Sequence, residues 1–116
     1  MLTLEQFKAA RATLQGVIRT TSLIHSPALS KACGNQVYLK PENMQVTGAY
    51  KIRGAYYKIS TLSEEEKARG LITASAGNHA QGLAYAAQAA GVPATIVMPT
   101  TTPLVKVNNT KDYGAR

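Results

Sequence analysis

The sequence LITASAGNHAQGLAYAAQAAGVPATIVMP, residues 71–99, places two short apolar segments on either side of an alanine-rich one. Residues 71–74 and 94–98 have the length and composition of buried strands. The segment between them is compatible with a helix to about Ala90, and Gly91 favours its end. Short apolar strands that alternate with helices of ten or more residues indicate a parallel sheet covered by helices. The sequence therefore predicts an α/β fold built around a βαβ unit.

Capping residues and hydrophobic spacing predict the elements outside this unit. Ser26 followed by Pro27 is typical of a helix start, and Gly34 is typical of a helix end. Ser63 and Glu66 have the spacing of a capping box, which predicts another helix start. The expected helices are residues 4–18, 27–33, 51–59 and 103–111, with a short one after residue 63, and the expected strand is 37–39.

The last predicted element is a helix, with Gly114 as its expected stop and no strand after it. A parallel sheet needs a returning strand to bury such a helix, so the chain is expected to stop in the middle of an architecture. On composition alone, a naturally short domain with a terminal helix stays an open alternative.

Composition predicts one compact globular unit, since the chain has 116 residues, of which 45% are hydrophobic and 16% charged. No apolar stretch is long enough to cross a membrane, and the N-terminus lacks the pattern of a signal peptide, so a cytoplasmic protein without a membrane partner is expected. Cys33 is the only cysteine, which excludes an internal disulfide and disfavours a cysteine-based metal site. The sequence predicts no metal centre.

The net charge of +7 raises nucleic acid as a partner, and the placement of the basic residues decides against it. The 13 lysines and arginines form no run of four or more. No aromatic residues alternate with them in a stacking pattern. We therefore expect no nucleic-acid partner.

Lys51 lies in the segment TGAYKIRGA, residues 47–55, which begins with turn residues and continues as a helix. The positive end of a helix dipole favours a neutral amine over an ammonium, and only the neutral amine can attack an aldehyde. A Schiff-base role is therefore one interpretation of Lys51. The other is an ordinary solvated lysine near a helix start.

The segment SAGNHAQG, residues 75–82, connects the first strand of the βαβ unit to its helix. Backbone N–H groups at a helix N-terminus bind anions, and Gly77 would allow a ligand to approach closely. Ser75, Asn78 and His79 add polar side chains at the carboxyl end of a parallel strand, where open α/β sheets bind their ligands. The segment predicts a cradle for a carboxylate or phosphate, with an ordinary N-capped helix as the alternative.

Together, LKPENMQVTGAYKIRGA (residues 39–55) and SAGNHAQG closely resemble the serine/threonine dehydratases of the fold type II pyridoxal-phosphate enzymes. The resemblance covers most of the chain from residue 39 onward; Ala49 and Tyr50 stand where the commoner pattern has Ser and Phe. It implies the incomplete N-terminal portion of a two-domain enzyme. Residues 1–50 would begin the large cofactor domain, and residues 51–116 would form an incomplete small α/β domain.

The resemblance also implies a role for each residue that matches the family's motifs. Lys51 would form the Schiff base with pyridoxal 5'-phosphate and move protons at the substrate α-carbon. Asn78 would bond the ring hydroxyl of the cofactor and, with Ser75, Gly77 and His79, lie in the loop that receives the substrate carboxylate. The family's glycine-rich phosphate loop and the residue facing the pyridine nitrogen have no counterpart in this sequence, whose nine glycines are dispersed.

The activity implied by the resemblance is threonine ammonia-lyase, which converts L-threonine to 2-oxobutanoate and ammonia in amino-acid metabolism such as isoleucine biosynthesis. Serine deaminase and serine racemase stay open as alternatives within the family. A non-catalytic fragment is the alternative outside it. The resemblance further implies a small amino-acid substrate as partner and a homo-oligomer for the full-length parent.

Overall fold

The computed structural model describes all residues from Met1 to Arg116 and contains six α-helices and four strands. A single 3-10 turn spans Glu42–Met44. The strands are β1 (Ile24–His25), β2 (Tyr38–Leu39), β3 (Leu71–Ala74) and β4 (Ala94–Val97). The helices are α1 (Leu4–Thr13), α2 (Pro27–Cys33), α3 (Lys51–Ser60), α4 (Glu64–Ala68), α5 (Asn78–Ala90) and α6 (Leu104–Asp112).

The βαβ unit has the parallel arrangement that the sequence predicts. Strands β3 and β4 pair in parallel, in a register that runs from Leu71 opposite Ala94 to Ala74 opposite Val97. Helix α5 connects the two strands and ends where Gly91 adopts a left-handed conformation, with φ of 68°. The α/β fold class is therefore confirmed.

Arg116 lies against the edge of β4 that faces away from β3. Its N–H donates to the carbonyl of Ala94 at 3.0 Å, and its carbonyl accepts from the N–H of Ile96 at 2.7 Å. This alternation of donor and acceptor is the pattern of a parallel ladder. The position of the returning strand expected from the sequence is thus occupied by Arg116 itself.

The core lies between α3 and α5. Helix α3 contributes Ile52 and Ile59, whose side chains are completely shielded from solvent, while the buried positions of α5 are mainly alanines. Small side chains on one helix allow the other helix to come close, and burying an isoleucine contributes about 1.5–3 kcal/mol. Ile52 and Ile59 therefore anchor α3 to the alanine face of α5.

The first part of the chain departs from its sequence-based expectation. Helix α1 ends at Thr13 rather than at Ile18, because turns follow it and Gly16 takes a left-handed conformation with φ of 79°. Strand β1 was not predicted; it pairs antiparallel with β2, and two residues are too few to show a period. The bounds of α2 and the capping box of α4 are confirmed.

No helix in this structure combines the length and the apolar character required to cross a bilayer.

Gly82 marks the place where α5 meets the first turn of α3. A Cβ atom at this position would lie 3.1 Å from the nitrogen of Ile52 and 3.3 Å from the carbonyl carbon of Lys51. Both neighbours are backbone atoms and cannot move aside as a flexible side chain could. A Cβ at this position would thus be closer to the α3 backbone than ordinary van der Waals contact, which favours glycine where the two helices meet.

We expect Gly82→Ala and Gly54→Ala to change stability in opposite directions. Both glycines lie inside helices, where alanine is intrinsically favoured by about 0.5–1 kcal/mol. No atom lies within 4 Å of a Cβ at Gly54, so Gly54→Ala should stabilise the protein. Gly82→Ala should lower the free energy of unfolding by about 1–3 kcal/mol, because the added methyl separates α5 from α3. Urea denaturation measures both, and equal stabilisation would contradict the packing argument.

Candidate active site

Lys51 is the first residue of α3, as the sequence predicts. The preceding Tyr50 makes no side-chain capping hydrogen bond, and the side chain of Lys51 is exposed. The turn before it depends on Gly48, which has φ of 69° and donates its N–H to the carbonyl of Gln45 at 2.7 Å. Lys51 thus projects from the uncapped start of a helix whose next residue, Ile52, is locked in the core.

The second candidate segment is the loop from Ser75 to Gly77, at the carboxyl end of β3. The Ser75 N–H donates to the carbonyl of Val97 at 3.0 Å, which holds the loop against β4. The Ser75 hydroxyl accepts from the Gly77 N–H at 3.2 Å, so this side chain stabilises the loop itself. Gly77 has an extended backbone that other residues could adopt, with φ of −123°.

Helix α5 starts at Asn78 with unpaired donors. No side chain caps it. The first backbone N–H of α5 that makes a hydrogen bond is that of Ala80, which donates to the carbonyl of Gly77 at 3.1 Å. The N–H groups of Asn78 and His79 have no hydrogen-bond partner within the chain. Nothing lies within 4 Å of a Cβ built on Gly77, so the space beside these donors is open. The side-chain cap that an ordinary N-capped helix would have is therefore absent from α5.

The close approach at Gly82 brings these two segments together. Asn78 precedes Gly82 by one helical turn, a rise of about 6 Å, and Gly82 is in contact with the backbone of Lys51 and Ile52. The backbone of Lys51 therefore lies against α5 about one turn from Asn78, and the side chains of both residues are exposed. An amine and a set of unpaired N–H donors placed in this way can bind a molecule that carries both an aldehyde and an anion.

His79 differs from its neighbours in its surroundings. It is half-buried and lines a groove of about 340 Å³ between α3 and β3, which is also lined by Gly54, Ala55 and Ile72. Its ring therefore lies beside the α3–β3 groove, while its backbone N–H lies at the start of α5. The backbone, rather than the ring, is the part of His79 that adjoins Asn78.

A larger cavity lies away from these residues. It measures about 960 Å³ and separates α1 from the far side of α3, with Phe7, Leu14, Ile18 and Tyr57 on its walls. Neither Lys51 nor any residue of the loop 75–79 lines it. This cavity is therefore separate from both candidate segments.

An ion pair that sequence reasoning missed joins the segment before Lys51 to α3. The Nε of Arg53 donates to one carboxylate oxygen of Glu42 at 2.9 Å, and its Nη2 donates to the other at 2.7 Å. The Thr21 hydroxyl donates to Glu42 at 2.6 Å, and Lys40 donates to the carbonyl of Thr21. The charges of Glu42 and Arg53 are visible in the motif, but no short-range spacing rule pairs residues eleven positions apart.

A buried glutamine fixes the same segment at a second point. Gln45 is only 3% exposed, and its side chain bonds both backbone groups of Arg19 at 2.8 Å, as donor to the carbonyl and as acceptor from the N–H. The guanidinium of Arg19 in turn donates to the carbonyl of Met44 at 2.8 Å. Buried amides persist when they are hydrogen-bonded in this way. The segment 42–46 is therefore tied to the segment 19–21 as well as to α3.

The pairing shifts the titration of both charged groups. Hydrogen bonding from Arg53 lowers the pKa of Glu42 from its usual 4.5 to about 2, against the opposing effect of burial, and the bond from Thr21 adds to the lowering. The same contact with Glu42 raises the pKa of Arg53. In the folded protein Glu42 therefore stays ionised at pH values between about 2 and 4.5, where a free glutamate is mostly protonated.

Comparison with known proteins shows the family to which this α/β unit belongs. Lys51 at an uncapped helix start and the loop before α5 are the features of the chain to set beside it. Residues 14–116 match the family model described as "Pyridoxal-phosphate dependent enzyme". The chain belongs to the pyridoxal-phosphate-dependent enzyme family, in its fold type II branch, and the family supports the chemistry of a lyase that uses this cofactor.

Individual relatives point to the dehydratases of that family. The chain is 56% identical over 116 residues to an L-threonine ammonia-lyase of Thermotoga maritima, covering all of this chain and 29% of that protein. It is 53% identical over 118 residues to a catabolic L-threonine dehydratase of Staphylococcus aureus, covering 34% of that protein. The chain thus spans about a third of the length of the curated relatives it matches.

A solved structure shows the same fold at high similarity. The serine racemase of Dictyostelium discoideum superimposes with a TM-score of 0.91 and 38% sequence identity, over 98% of this chain and 38% of that one. The chain therefore shares its backbone arrangement with a racemase while its sequence is closer to ammonia-lyases.

The lowered pKa of Glu42 predicts how stability depends on pH. A carboxyl whose pKa is depressed by folding stabilises the folded state above its unfolded pKa, and this stabilisation is lost as the pH falls through the folded pKa. We expect Glu42→Gln to lower the free energy of unfolding by about 1–3 kcal/mol at pH 7, between the effects of exposed and buried pairs. The difference from wild type should shrink as the pH falls from 4.5 towards 2.

Urea denaturation at a series of pH values measures this difference. Glu64→Gln is the matched control, because Glu64 pairs with Lys67 at the same 2.7 Å but is 89% exposed. The control should show little difference from wild type at any pH. A Glu42→Gln effect that does not change between pH 5 and about pH 2 would contradict the assignment of the shift to the Arg53 contact.

Proposed function

We propose that this chain carries the Schiff-base lysine and the carboxylate-binding loop of a threonine ammonia-lyase that converts L-threonine to 2-oxobutanoate and ammonia. The observation that supports it most is the close approach at Gly82, which brings the backbone of Lys51 against α5 about one turn from the unpaired N–H groups at its start. Pyridoxal phosphate, when bound, supplies an aldehyde for an amine to attack and a ring that accepts the electrons of the substrate α-carbon.

In this proposal Lys51 binds the aldehyde through its amine and later moves the proton at the substrate α-carbon. Its exposure at the helix start leaves the amine free to exchange partners, since no ion pair or hydrogen bond holds it. Asn78, the exposed first residue of α5, would hold the cofactor through a hydrogen bond from its side-chain amide to the ring hydroxyl.

The substrate carboxylate is assigned to the loop Ser75–Gly77 and the N–H groups of Asn78 and His79. The open space at Gly77 supports this assignment, because a side chain there would stand where the anion approaches. Ser75 acts by holding the loop through its bond from the Gly77 N–H. The positive end of the α5 dipole favours a negative group at this position.

Threonine is preferred over serine as the proposed substrate because the two curated relatives described above are both named for threonine, at 56% and 53% identity. Serine racemisation or deamination is the second candidate, favoured by the TM-score of 0.91 to a serine racemase. The same proposal assigns residues 1–50 to a large cofactor domain and residues 51–116 to a small domain. It also includes a homo-oligomeric assembly and a cytoplasmic location.

We expect Lys51 to be the residue that takes up the cofactor. The protein expressed from its complete reading frame is mixed with pyridoxal phosphate, reduced with borohydride and digested, and peptide masses locate the label. Lys51→Ala should lose the label and at least about a thousandfold of the deamination rate, since the nucleophile itself is removed. Lys111→Ala, which removes an exposed lysine from α6, should keep both. Label retained by Lys51→Ala at an unchanged level would refute the assignment.

We expect L-threonine to be consumed faster than L-serine at equal concentration. Formation of 2-oxobutanoate is followed with lactate dehydrogenase, and chiral chromatography follows D-serine in parallel. Racemisation of L-serine with no 2-oxobutanoate from L-threonine would establish the second candidate. A protein that binds no cofactor and turns over neither amino acid would establish the non-catalytic alternative.

A further inference from the structure

Glu42 and Arg53 form the one ion pair in the structure that joins separate parts of the chain. The other two, Lys8 with Glu5 and Lys67 with Glu64, each lie within a single helix at a spacing of three residues. The side chains of Arg53 and Glu42 are only 31% and 17% exposed. A two-pronged contact between arginine and carboxylate fixes direction as well as distance, so this pair restrains the orientation of the segments it joins.

The pair closes the loop of chain that leads into Lys51. Glu42 begins the 3-10 turn and Arg53 lies in the first turn of α3, so the residues between them are held at both ends. Within the loop, the Gly48 N–H bonds the carbonyl of Gln45 at 2.7 Å, and the Gln45 side chain is bonded to Arg19. Lys51 is the first helical residue after this restrained turn.

Neither member of the pair contacts Lys51 directly. Residues two positions apart on an α-helix point about 200° apart around its axis, so the guanidinium of Arg53 lies on the other side of α3 from the amine of Lys51. Thr21 and Lys40, which complete the cluster, also lie on the Arg53 side. The effect on Lys51 can therefore pass only through the backbone of the first turn of α3.

We propose that the Glu42–Arg53 pair is the positioning element for Lys51, fixing the direction in which its amine is presented to the loop 75–79. This inference rests on the proposed function, since it concerns the reaction of Lys51 with an aldehyde. Gly82 restrains the backbone of Lys51 from the α5 side, and the ion pair restrains it from the opposite side. Removal of either restraint frees the amine to point elsewhere.

The test compares Glu42→Gln, Arg53→Gln and the double variant with wild type and with the control Glu64→Gln, in the protein expressed from its complete reading frame. The first measurement is the rate at which pyridoxal phosphate labels Lys51, trapped by borohydride and read from peptide masses. The second is kcat and KM for L-threonine. The third is hydrogen exchange of the backbone amides of residues 45–52 and 94–97.

Each single variant should label Lys51 about 10- to 100-fold more slowly and lose a similar factor in kcat, because misplacing a reacting group by about 1 Å costs this much. KM should change by less than about threefold, since the loop that binds the carboxylate is untouched. Exchange should accelerate in residues 45–52 and stay unchanged in β4. The double variant should be no worse than the worse single one, because the two residues act as a unit.

The outcomes separate the inference from the proposed function. Variants that melt at a lower temperature but label Lys51 at the wild-type rate, with unchanged kcat, overturn the inference and make the pair a stability contact only. A wild-type protein that takes no label at Lys51 overturns the proposed function and the inference with it. Slower labelling in Glu64→Gln as well would trace the effect to general destabilisation and also overturn the inference.

Discussion

The contact between Gly82 and the first turn of α3 is the constraint on which the rest of this structure depends. Two helix backbones approach so closely there that an added methyl group would lie 3.1 Å from the backbone nitrogen of Ile52. The side chains of Ile52 and Ile59 bury their apolar surface only if this approach is made, and the alanines of α5 leave room for them. The same packing that stabilises the fold therefore sets the distance between Lys51 and the loop after β3.

A second restraint acts on Lys51 from the other side of α3, and it is electrostatic rather than apolar. Burial of a charged pair is costly unless its hydrogen bonds are complete, and here both oxygens of Glu42 accept a bond from Arg53. The buried side-chain amide of Gln45 adds a further restraint, because it ties the turn before Lys51 to the backbone of Arg19. Core packing thus fixes how near α3 lies to α5, while the polar contacts fix the turn that enters it.

The sequence predicts the elements whose signals are local. Strand β3 and the ends of α2, α4 and α5 are set by apolar runs and by capping residues such as Ser26, Ser63 and Gly91, so their bounds could be read directly. The pairing of β1 with β2 and the Glu42–Arg53 contact depend on residues far apart in the chain, and no short-range period encodes them. Lys51 and the loop 75–79 were each recognisable, but their proximity depends on Gly82, whose role is visible only in three dimensions.

The distribution of helix caps leaves backbone donors free at the start of α5, where the proposed function places a ligand. Side chains of Thr3, Ser26 and Ser63 cap α1, α2 and α4, and each such cap stabilises a helix by about 0.5–2 kcal/mol. Helices α3, α5 and α6 have no side-chain cap, and the starts of α3 and α5 flank the candidate site. The N–H groups of Asn78 and His79 at the start of α5 have no partner within the chain, and a bound anion would supply the hydrogen bonds that a capping residue otherwise makes. The uncapped starts of α3 and α5 therefore forgo local stability at the two positions where, in the proposed function, cofactor and substrate bind.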